Sequence, residues 1–471
     1  MERLILPNLE SWLSEPGRKP LILRGARQVG KTWAVRALAK RTQRDLIEIN
    51  FERNPEYRKY FAANDPRKVM DELSLVLGHE VEPHRTLLLL DEIQAAGEVL
   101  AKLRWFAEEM PELPVIAAGS LLEFTLANHE FSMPVGRVTF RHMEPIGFPE
   151  YLLANGQDKL LKIIGAWRPG ENLSIAAHEQ AWRWFERFSM VGGMPEIAAA
   201  DAGGAAPSKC RDMQKDLMAA LRADFPKYAG RLEADVLDTV LRAVAGSIGR
   251  KFVYAQADAG LKQHQAKRAL ELLTAARICS LVRYSAGNAL PLGAETKDTF
   301  RKSVLLDIGL LHALLNTPAA AAFPAWESLP SDLRGRMAEQ MAAQQLRLLD
   351  PGGAGEPGLH YWQREGGRPG EIDFLIGIAG RIIPIELKSG AAGSMKSLHQ
   401  FMHDKRLALA VRCDANPPSD MHVDFATTQG NPAKYRLLSL PLYLIWNLPT
   451  LLAEGFSDAS FAGRGSESRV P

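Results

Sequence analysis

A segment bracketed by glycines has the residue types of a polyphosphate-binding loop. It reads Gly25-Ala26-Arg27-Gln28-Val29-Gly30-Lys31-Thr32-Trp33, after the apolar run Leu21–Leu23 and before a helical pattern. A strand, a loop and a helix start are the context that the pattern G-x-x-x-x-G-K-S/T requires. The glycines let backbone N–H groups turn toward a phosphate, Lys31 can reach the β- and γ-phosphates, and the Thr32 hydroxyl can ligate Mg²⁺. The segment therefore predicts a site for ATP and Mg²⁺.

An acidic pair ends a second apolar run. Four consecutive leucines occupy 87–90, a pattern typical of a strand buried on both faces of a parallel sheet, and Asp91 and Glu92 follow directly. Such sheets bind their ligands at the carboxyl ends of the strands. We therefore expect Asp91 to hold Mg²⁺ opposite Thr32, directly or through water. We expect Glu92 to be the base that orients and polarises the attacking water.

Two further side chains are candidates for catalysis. Ser120 follows the apolar run 113–118, where a small polar residue can sense the γ-phosphate or position water; a plain strand-ending turn is the alternative. Arg137 precedes a predicted edge strand over 138–140 and is placed to reach the nucleotide of a neighbouring subunit. Arginines supplied in trans can contribute ~10³–10⁵ in rate, so we expect a homo-oligomer. An ordinary solvated arginine is the alternative, and Arg141 is the next candidate.

A second group of acids lies in the last third of the chain. Glu339 falls in a predicted helix over 333–349, Asp373 in a predicted strand, and Glu386 and Lys388 in the strand after it. Strand alternation puts Glu386 and Lys388 on one face, about 7 Å apart. Two carboxylates can hold a hard divalent cation while a lysine stabilises a metal-bound hydroxide. The group predicts a nuclease-type site, although an E-x-K on a strand is by itself more often a solvated face.

Between these two regions lies a predicted helix-turn-helix with a wing. The helices are predicted over 252–259 and 263–276, and the wing over 278–285 and 289–292. This order is typical of modules that place a helix on DNA. A module that only packs against protein is the alternative. The candidate DNA-contacting face of the second helix consists of Lys262, His264, Lys267 and Arg268.

The predicted strands and helices that carry these sites indicate an α/β chain of several domains. A length of 471 residues has room for roughly three. We expect a P-loop NTPase core with a parallel sheet over 1–145 and a helical lid over 146–235. A winged helix-turn-helix is expected over 236–317 and an Ala- and Pro-rich linker over 318–330. A C-terminal α/β unit should span 331–450, and the tail over 451–471 should end in disorder.

Composition limits the classes of binding partner and the cellular compartment that we expect for this protein. A net charge of +2 excludes a polyanion binder of the histone kind, so that any DNA surface must be local. The cysteines Cys210, Cys279 and Cys413 form no C-x-x-C pair and fit a reducing compartment. No apolar run approaches the ~18 residues that span a bilayer. We expect a cytoplasmic protein without a membrane partner.

The order of the motifs resembles a group of bacterial and archaeal AAA+-type P-loop ATPases with a C-terminal region of uncharacterised function. The resemblance covers nearly the whole chain. Its motifs are GARQVGKT (25–32), LLLLDEIQ (87–94), AAGS (117–120), GR (136–137), EPIGFPEYL (144–152), GGMPE (192–196), LLDIGL (305–310), and EIDFLI with IPIELKSG (371–390).

The resemblance implies an ATP-hydrolysing core, a winged-helix element and a C-terminal α/β domain of the restriction-endonuclease-like, PD-(D/E)XK type. It assigns Lys31, Thr32, Asp91 and Glu92 to the nucleotide site. Asp373, Glu386 and Lys388 match the nuclease-like motif, with Glu339 as its first-helix acid. No proline precedes Asp373, where the name of the motif would put one.

Two functions are consistent with these features. The first is an oligomeric ATPase that acts on DNA through its winged-helix and nuclease-like domains. The second is an ATP-controlled signalling or toxin–antitoxin-like switch whose nuclease-like domain is an inactive scaffold, a reading that the near-neutral charge favours. A kinase or GTPase is disfavoured, because no GTPase base-specificity motif follows the acidic strand and no acceptor site is conspicuous.

Overall fold

A parallel sheet forms the core of the N-terminal part of the chain. Its strands are β1 (Leu21–Arg24), β2 (Asp45–Asn50), β3 (Thr86–Asp91), β4 (Val115–Ala118) and β5 (Thr139–His142). Their order is β2-β3-β4-β1-β5, and every neighbouring pair is parallel. The computed structural model describes residues 2–78, 80–120, 122, 124, 134, 136–230, 232–317, 325–353, 355, 357–366, 370–388 and 395–454. The expected parallel P-loop core is confirmed.

Both faces of this sheet are buried, as the leucine run predicts. Leu87 and Leu89 pack into one apolar cluster with α1 (Leu6–Ser14) and α2 (Lys31–Arg41), whereas Leu88 and Leu90 pack into another. The second cluster includes α3 (Pro66–Leu77) and α4 (Gly97–Glu109). Because successive side chains of a strand point to opposite faces, an all-leucine strand requires helices on both sides.

Helices fill the middle of the chain, where a lid was expected. They are α5 (Phe148–Ala154), α6 (Asp158–Ala166), α7 (Ile175–Val191), α8 (Pro195–Ala202), α9 (Pro207–Ala223) and α10 (Phe225–Ala229). Phe148, Phe185 and Phe188 are fully buried where α5 crosses α7. The end of α9 and Asp224 line a cavity with the phosphate loop, and a Cβ atom at Gly30 would lie 3.8 Å from Pro195 Cγ at the start of α8.

A mixed sheet of eight strands organises the rest of the described chain. Its strands are β6 (Cys279–Ser285), β7 (Thr296–Leu305), β8 (Leu359–Gln363), β9 (Glu371–Ile378), β10 (Arg381–Leu387), β11 (Leu409–Asp414), β12 (Ser419–Ala426) and β13 (Pro432–Pro441). The order is β12-β13-β11-β10-β9-β8-β6-β7. The accompanying helices are α11 (Ala234–Ser247), α12 (Gln263–Ala275), α13 (Ile308–Leu314), α14 (Ser331–Leu346), α15 (Lys396–Lys405) and α16 (Leu448–Glu454).

The expected winged module differs from the structure in two elements. Segment 252–259 contains only a short 3-10 turn, Tyr254–Gln256, and 289–292 forms no strand. The partner of β6 is β7, and β6 also pairs in parallel with β8. The hairpin therefore extends the C-terminal sheet. The hairpin joins this sheet because its end is apolar. Val304 and Leu305 of β7 are fully buried here, whereas a free-standing wing would expose them to solvent.

The expected linker and tail also differ where they are described. Trp326 is 1% exposed and packs edge-on against Trp182, while its backbone N–H donates to Glu186 Oε1 at 2.7 Å. Trp326 thus anchors this segment to the helical core, whereas Ala325, Glu327, Ser328 and Pro330 are exposed. Leu451 and Leu452 are buried within α16, and the expected disorder after residue 457 lies outside the described residues.

A buried junction connects the helical region to the second sheet. Asp307, between β7 and α13, accepts hydrogen bonds from Gly193 N at 2.6 Å, Gly309 N at 2.8 Å and Gln344 Nε2 at 2.8 Å. A Cβ atom at Gly193 would lie 2.3 Å from the Ile146 carbonyl oxygen. The GGMPE and LLDIGL motifs therefore have a structural role, because they let two backbones approach around one buried carboxylate.

Candidate functional site

The phosphate loop joins β1 to α2 through strained backbone. Gly25 has φ +154°, and a Cβ atom there would lie 2.4 Å from the Met143 carbonyl oxygen; Gly30 has φ +92°. Gln28 also lies in the left-handed region, with φ 62°. The first turn of α2, whose N–H groups have no partners within the helix, follows immediately, as an anion site needs.

Lys31 is held by the loop itself. Its Nζ donates to Gly25 O at 2.9 Å and to Ala26 O at 2.8 Å, and the residue is 8% exposed. Burial lowers the pKa of Lys31 to about 8, against the opposing effect of the Glu92 and Asp91 carboxylates. Because the hydrogen-bond partners of Lys31 Nζ are neutral carbonyl oxygens, they do not neutralise its positive charge. That charge can therefore bind an incoming anion.

Thr32 and Asp91 meet at the carboxyl end of β3. Thr32 Oγ1 donates to Asp91 Oδ2 at 2.9 Å, and Asn50 Nδ2 lies 3.5 Å from the same oxygen. Asp91 is 5% exposed, and burial raises the pKa of its carboxyl. A hydroxyl and a carboxylate are the oxygen donors that Mg²⁺ prefers beside phosphates, so these residues fit that ion.

Glu92 has an unusual backbone conformation and a hydrogen-bond partner in Gln94. Its φ is 48°, a left-handed conformation that is uncommon for a residue with a side chain. Gln94 Nε2 donates to Glu92 Oε2 at 2.6 Å. A Cβ atom at Gly119 would lie 2.2 Å from Gln94 Oε1, so the small residue leaves room for this amide. Sequence reasoning did not assign a role to Gln94, although it stands within the quoted DEIQ motif.

These groups line one cavity of about 420 Å³. The phosphate loop and its surroundings contribute Arg27, Gln28, Gly30, Lys31, Thr32, Trp33, Asp91, Glu92 and Ser120. The end of α9 closes the cavity with Ala220, Leu221 and Asp224. Sequence reasoning did not find these last three, because nothing local marks a helix end that meets a loop almost 200 residues away.

The two candidate catalytic side chains outside the loop are placed differently. Ser120 is 5% exposed, and its Oγ lies 3.4 Å from Arg27 Nε. Arg137 precedes β5, whose Thr139 pairs with Leu21 at the start of β1, so it lies at the sheet edge opposite the phosphate loop. There its Nε contacts Glu108 Oε1 at 2.7 Å. Arg137 therefore does not reach the nucleotide cavity of its own chain, and its role in trans stays a prediction.

Arg141, the second arginine candidate, does not line the cavity either. Its Nε donates to Asn8 Oδ1 at 2.8 Å, on the side of the sheet covered by α1. The structure thus assigns it a packing contact.

The C-terminal sheet gathers the other acids. Asp373 Oδ2 accepts a hydrogen bond from Leu387 N at 2.7 Å across β9 and β10, and Lys388 Nζ donates to Glu386 Oε1 at 2.7 Å. Glu339 approaches from α14, where it is 5% exposed. The four side chains that sequence reasoning grouped are therefore brought to one region of the sheet.

A lysine that sequence reasoning missed lies among these acids. Lys302 of β7 is fully buried, and its Nζ lies 3.0 Å from Glu339 Oε1 and 4.0 Å from Asp373 Oδ1. It also forms an ion pair with Glu371. Glu371 could have been predicted from the sequence, because it stands two residues before Asp373 on the same face of the strand. No pattern in the sequence indicates that Lys302 would lie among these acids.

The acid cluster contains a cation of its own, the ammonium group of Lys302. Within the described ranges, no three His, Cys, Asp or Glu side chains converge closely enough to hold a metal ion. Burial raises the pKa of Glu339 and of Glu386, with the neighbouring Lys302 and Lys388 opposing that effect. The cation that the carboxylates of Glu339, Glu371 and Asp373 share is the ammonium group of Lys302.

The predicted DNA-contacting residues are all exposed, on α12 or directly before it. Lys262, His264, Lys267 and Arg268 point to solvent, whereas the opposite face of the helix is buried. Glu271 lies 3.5 Å from Arg268 and 4.0 Å from Lys267, which reduces the local positive charge.

Among the helices of the described residues, none combines the length and the apolar character of a membrane span.

Three domain families match separate parts of the chain. An AAA domain matches residues 17–152, and two domains of unknown function, DUF8612 and DUF4143, match residues 183–321 and 334–419. The first of these contains the phosphate loop, Asp91 and Glu92. Residues 17–152 are therefore similar to AAA domains. No curated protein matches the chain.

Three solved structures resemble this chain at low sequence identity. A Walker-type ATPase of Pyrococcus abyssi is 17% identical, with a TM-score of 0.42, over 66% of this chain and 94% of its own. The ORC2 protein of Aeropyrum pernix is 14% identical, with a TM-score of 0.30, over 65% of this chain and 90% of its own. The ORC1 protein of the same organism, in complex with DNA, is 13% identical, with a TM-score of 0.27, over 67% and 91%. Because all three scores lie below 0.5, they do not establish a shared overall architecture.

Proposed function

We propose that this protein is a Mg²⁺-dependent ATPase that releases phosphate by in-line attack of water. The observation that carries the proposal is the meeting of Lys31, Thr32, Asp91 and Glu92 at one cavity, with Thr32 Oγ1 2.9 Å from the Asp91 carboxylate. That spatial arrangement joins the phosphate-binding and acidic motifs of the AAA-type domain.

The residues of the site divide the work. Lys31 and the N–H groups at the start of α2 bind the β- and γ-phosphates and stabilise the charge that develops there. Thr32 and Asp91 would hold Mg²⁺, which neutralises phosphate charge when bound. Glu92, oriented by Gln94, accepts a hydrogen bond from the attacking water and polarises it. Ser120 is buried at the same cavity and positions the water or the γ-phosphate.

Two substitutions test these roles. Lys31→Ala should abolish ATP turnover and weaken nucleotide binding, because the only lysine of the phosphate loop is lost. Glu92→Gln should retain ATP binding and lower turnover by roughly 10²–10⁴, the usual value of a general base. Arg36→Ala is the matched control, because Arg36 follows the loop on α2 but is exposed and pairs with Glu48. Near-normal turnover by the Glu92→Gln protein would refute the assigned base.

We further propose that the ATPase acts on DNA as a homo-oligomer. Support for DNA contact comes from the exposed basic face of α12. The double variant Lys267→Ala/Arg268→Ala should lose DNA-stimulated ATPase activity, whereas Lys159→Ala/Lys162→Ala, on exposed positions of α6, should not. The proposed action on DNA would be contradicted by an ATPase rate that duplex, single-stranded and branched DNA leave unchanged, together with the absence of a gel shift at low salt.

The oligomer has its own test. If Arg137 is supplied in trans, the ATPase rate per chain should rise with protein concentration, and Arg137→Ala should lower only the rate of the assembled state. A rate per chain that is independent of concentration, together with a normal Arg137→Ala protein, would remove the arginine from the mechanism.

A second function is an ATP-controlled switch whose C-terminal domain is a scaffold. Lys302 supports this alternative, because its ammonium group occupies the acid cluster. Under this reading, incubation with Mg²⁺ or Mn²⁺ and DNA gives no cleavage with the native chain or with Asp373→Ala. Metal-dependent cleavage that Asp373→Ala abolishes would instead establish a nuclease.

A further inference from the structure

One charged side chain in the nucleotide cavity has no role in the mechanism above. Arg27 stands in the variable part of the phosphate loop, two residues after Gly25, and its side chain is 27% exposed. It lines the cavity together with Lys31, Asp91 and Glu92, and its Nε lies 3.4 Å from Ser120 Oγ. Its guanidinium group is therefore inside the nucleotide site and next to the end of β4.

The partner of Arg27 comes from the helical region. Arg27 Nη1 forms an ion pair with the carboxylate of Asp224, the residue after α9. The Asp224 side chain is only 10% exposed, and its other cationic partner is Lys227, whose Nζ lies 2.9 Å away and which is 53% exposed. The pair is the ionic contact that connects the phosphate loop to the helix closing the cavity.

A carboxylate and a phosphate compete for the same arginine. A guanidinium group binds both through parallel N–H donors of similar geometry, so Asp224 presents to Arg27 the oxygens that a phosphate would present. Asp224 also lines the cavity that a polyphosphate must enter. Two negative groups in a cavity of low dielectric repel each other strongly, and hence ATP and the present position of the Asp224 carboxylate exclude each other.

Arg137 does not satisfy the need for a cation at the γ-phosphate within one chain. It lies at the other edge of the parallel sheet and pairs with Glu108. Arg27, in contrast, is already in the cavity beside Ser120, at the carboxyl end of a strand adjacent to β3. The charge that the transition state requires is available in cis.

We propose that Arg27 is a catalytic arginine supplied in cis, and that ATP takes the place of Asp224 as its partner. The ion pair with Asp224 holds Arg27 and keeps the end of α9 against the loop. When ATP binds, the phosphate oxygens accept the N–H donors of Arg27, and the freed Asp224 carboxylate and α9 move away from the cavity. Phosphate release restores the ion pair. This proposal rests on the ATPase function proposed above.

Two substitutions on the full chain separate the parts of the proposal. Arg27→Ala should lower kcat roughly 100-fold, a cautious value for an arginine that stabilises transferring phosphate, while the Kd for ADP changes less than about threefold. Arg27→Lys should recover part of kcat. Asp224→Asn, which keeps the shape and removes the charge, should tighten ATP binding about tenfold and ADP binding less, because it removes a competitor of the phosphates.

Calorimetric titration with ATP and ADP and a steady-state phosphate assay give these values, with Arg36→Ala as the control arginine and thermal melting as the check on folding. A merely structural ion pair predicts the opposite signs: Asp224→Asn would weaken ATP binding and lower the melting temperature. Unchanged kcat in the Arg27→Ala protein, or unchanged ATP affinity in the Asp224→Asn protein, overturns the proposal. If the native chain bound ATP without turning it over, the ATPase function would fail separately, and the affinity of Asp224→Asn would still decide the exchange.

Discussion

The nucleotide cavity and the C-terminal acid cluster use the same residue types in opposite ways. Each contains a buried lysine close to aspartate and glutamate. Lys31 donates to two backbone carbonyl oxygens, Gly25 O and Ala26 O, whereas Lys302 contacts the carboxylates of Glu339, Glu371 and Asp373. Neutral partners leave the charge of Lys31 available to an anion, and charged partners neutralise Lys302.

The difference shows why a set of acids and lysines does not by itself identify a catalytic site. A buried ion pair holds its groups in place, but its desolvation cost makes removal of one partner severe. A lysine on carbonyl oxygens can exchange them for phosphate at little cost. We therefore expect substitution of Lys302 to act mainly on stability, and substitution of Lys31 to act mainly on nucleotide binding. Substitutions in the two regions, and at the Asp307 junction beside the second sheet, test this contrast.

The largest expected effect is on stability at the acid cluster. Lys302→Met keeps the length of the side chain and leaves the neighbouring carboxylates without their cation, so the free energy of unfolding should fall by about 3–5 kcal/mol. The loss should be larger at pH 8 than at pH 6, since burial raises the pKa of Glu339 and protonation at lower pH relieves the unpaired charge. Urea denaturation at both pH values measures it.

Lys297→Met is the control for that experiment. Lys297 lies on the same strand but is 48% exposed and pairs with the exposed Glu365. Because solvent screens such a surface pair, its loss should change the free energy of unfolding very little. If both variants lost the same small amount, the acid cluster would not be a structural element held by its buried lysine.

A smaller effect is expected at the Asp307 junction, which connects the helical region to the second sheet. Gly193→Ala places a Cβ atom 2.3 Å from Ile146 O and 2.8 Å from Gln344 Nε2, beside the buried Asp307. Overpacking of this kind costs about 1–3 kcal/mol. Gly335→Ala in α14 meets nothing within 4 Å and should instead stabilise by up to about 1 kcal/mol, because alanine favours a helix. Equal melting temperatures for the two variants would contradict the close approach.

The smallest effect is the pH dependence of nucleotide affinity. Because burial lowers the pKa of Lys31 to about 8, the free protein loses this positive charge as the pH rises from 7 to 9. Phosphate binds the protonated form, so the Kd for ATP should increase about tenfold over that range. Titration calorimetry at pH 7, 8 and 9 measures it, with Lys31→Met as the variant that should lose the dependence. A constant Kd would show that the charge of Lys31 is not available in the way the carbonyl contacts indicate.

Local patterns predicted the parallel-sheet core well. The strand, loop and helix around Lys31 are consecutive in sequence, and the leucine run of β3 requires a strand buried on both faces; both are present, in a parallel sheet. The hairpin after α12 was mispredicted. The segment 289–292 resembles a strand only locally, and β7 instead pairs with β6 because its apolar end is buried against α14 and the C-terminal sheet.

By itself, the sequence determined that this chain has a phosphate loop, an acidic strand end and a group of acids on later strands. Those features depend on residues close in sequence, whose backbone geometry follows from glycine, helix and strand preferences. Only the tertiary structure decided which charges meet. It put Asp224 on Arg27, Lys302 among the acids, and Arg137 at the far edge of the sheet. Such pairings depend on how distant segments pack, because a charge carries no local signal of its partner.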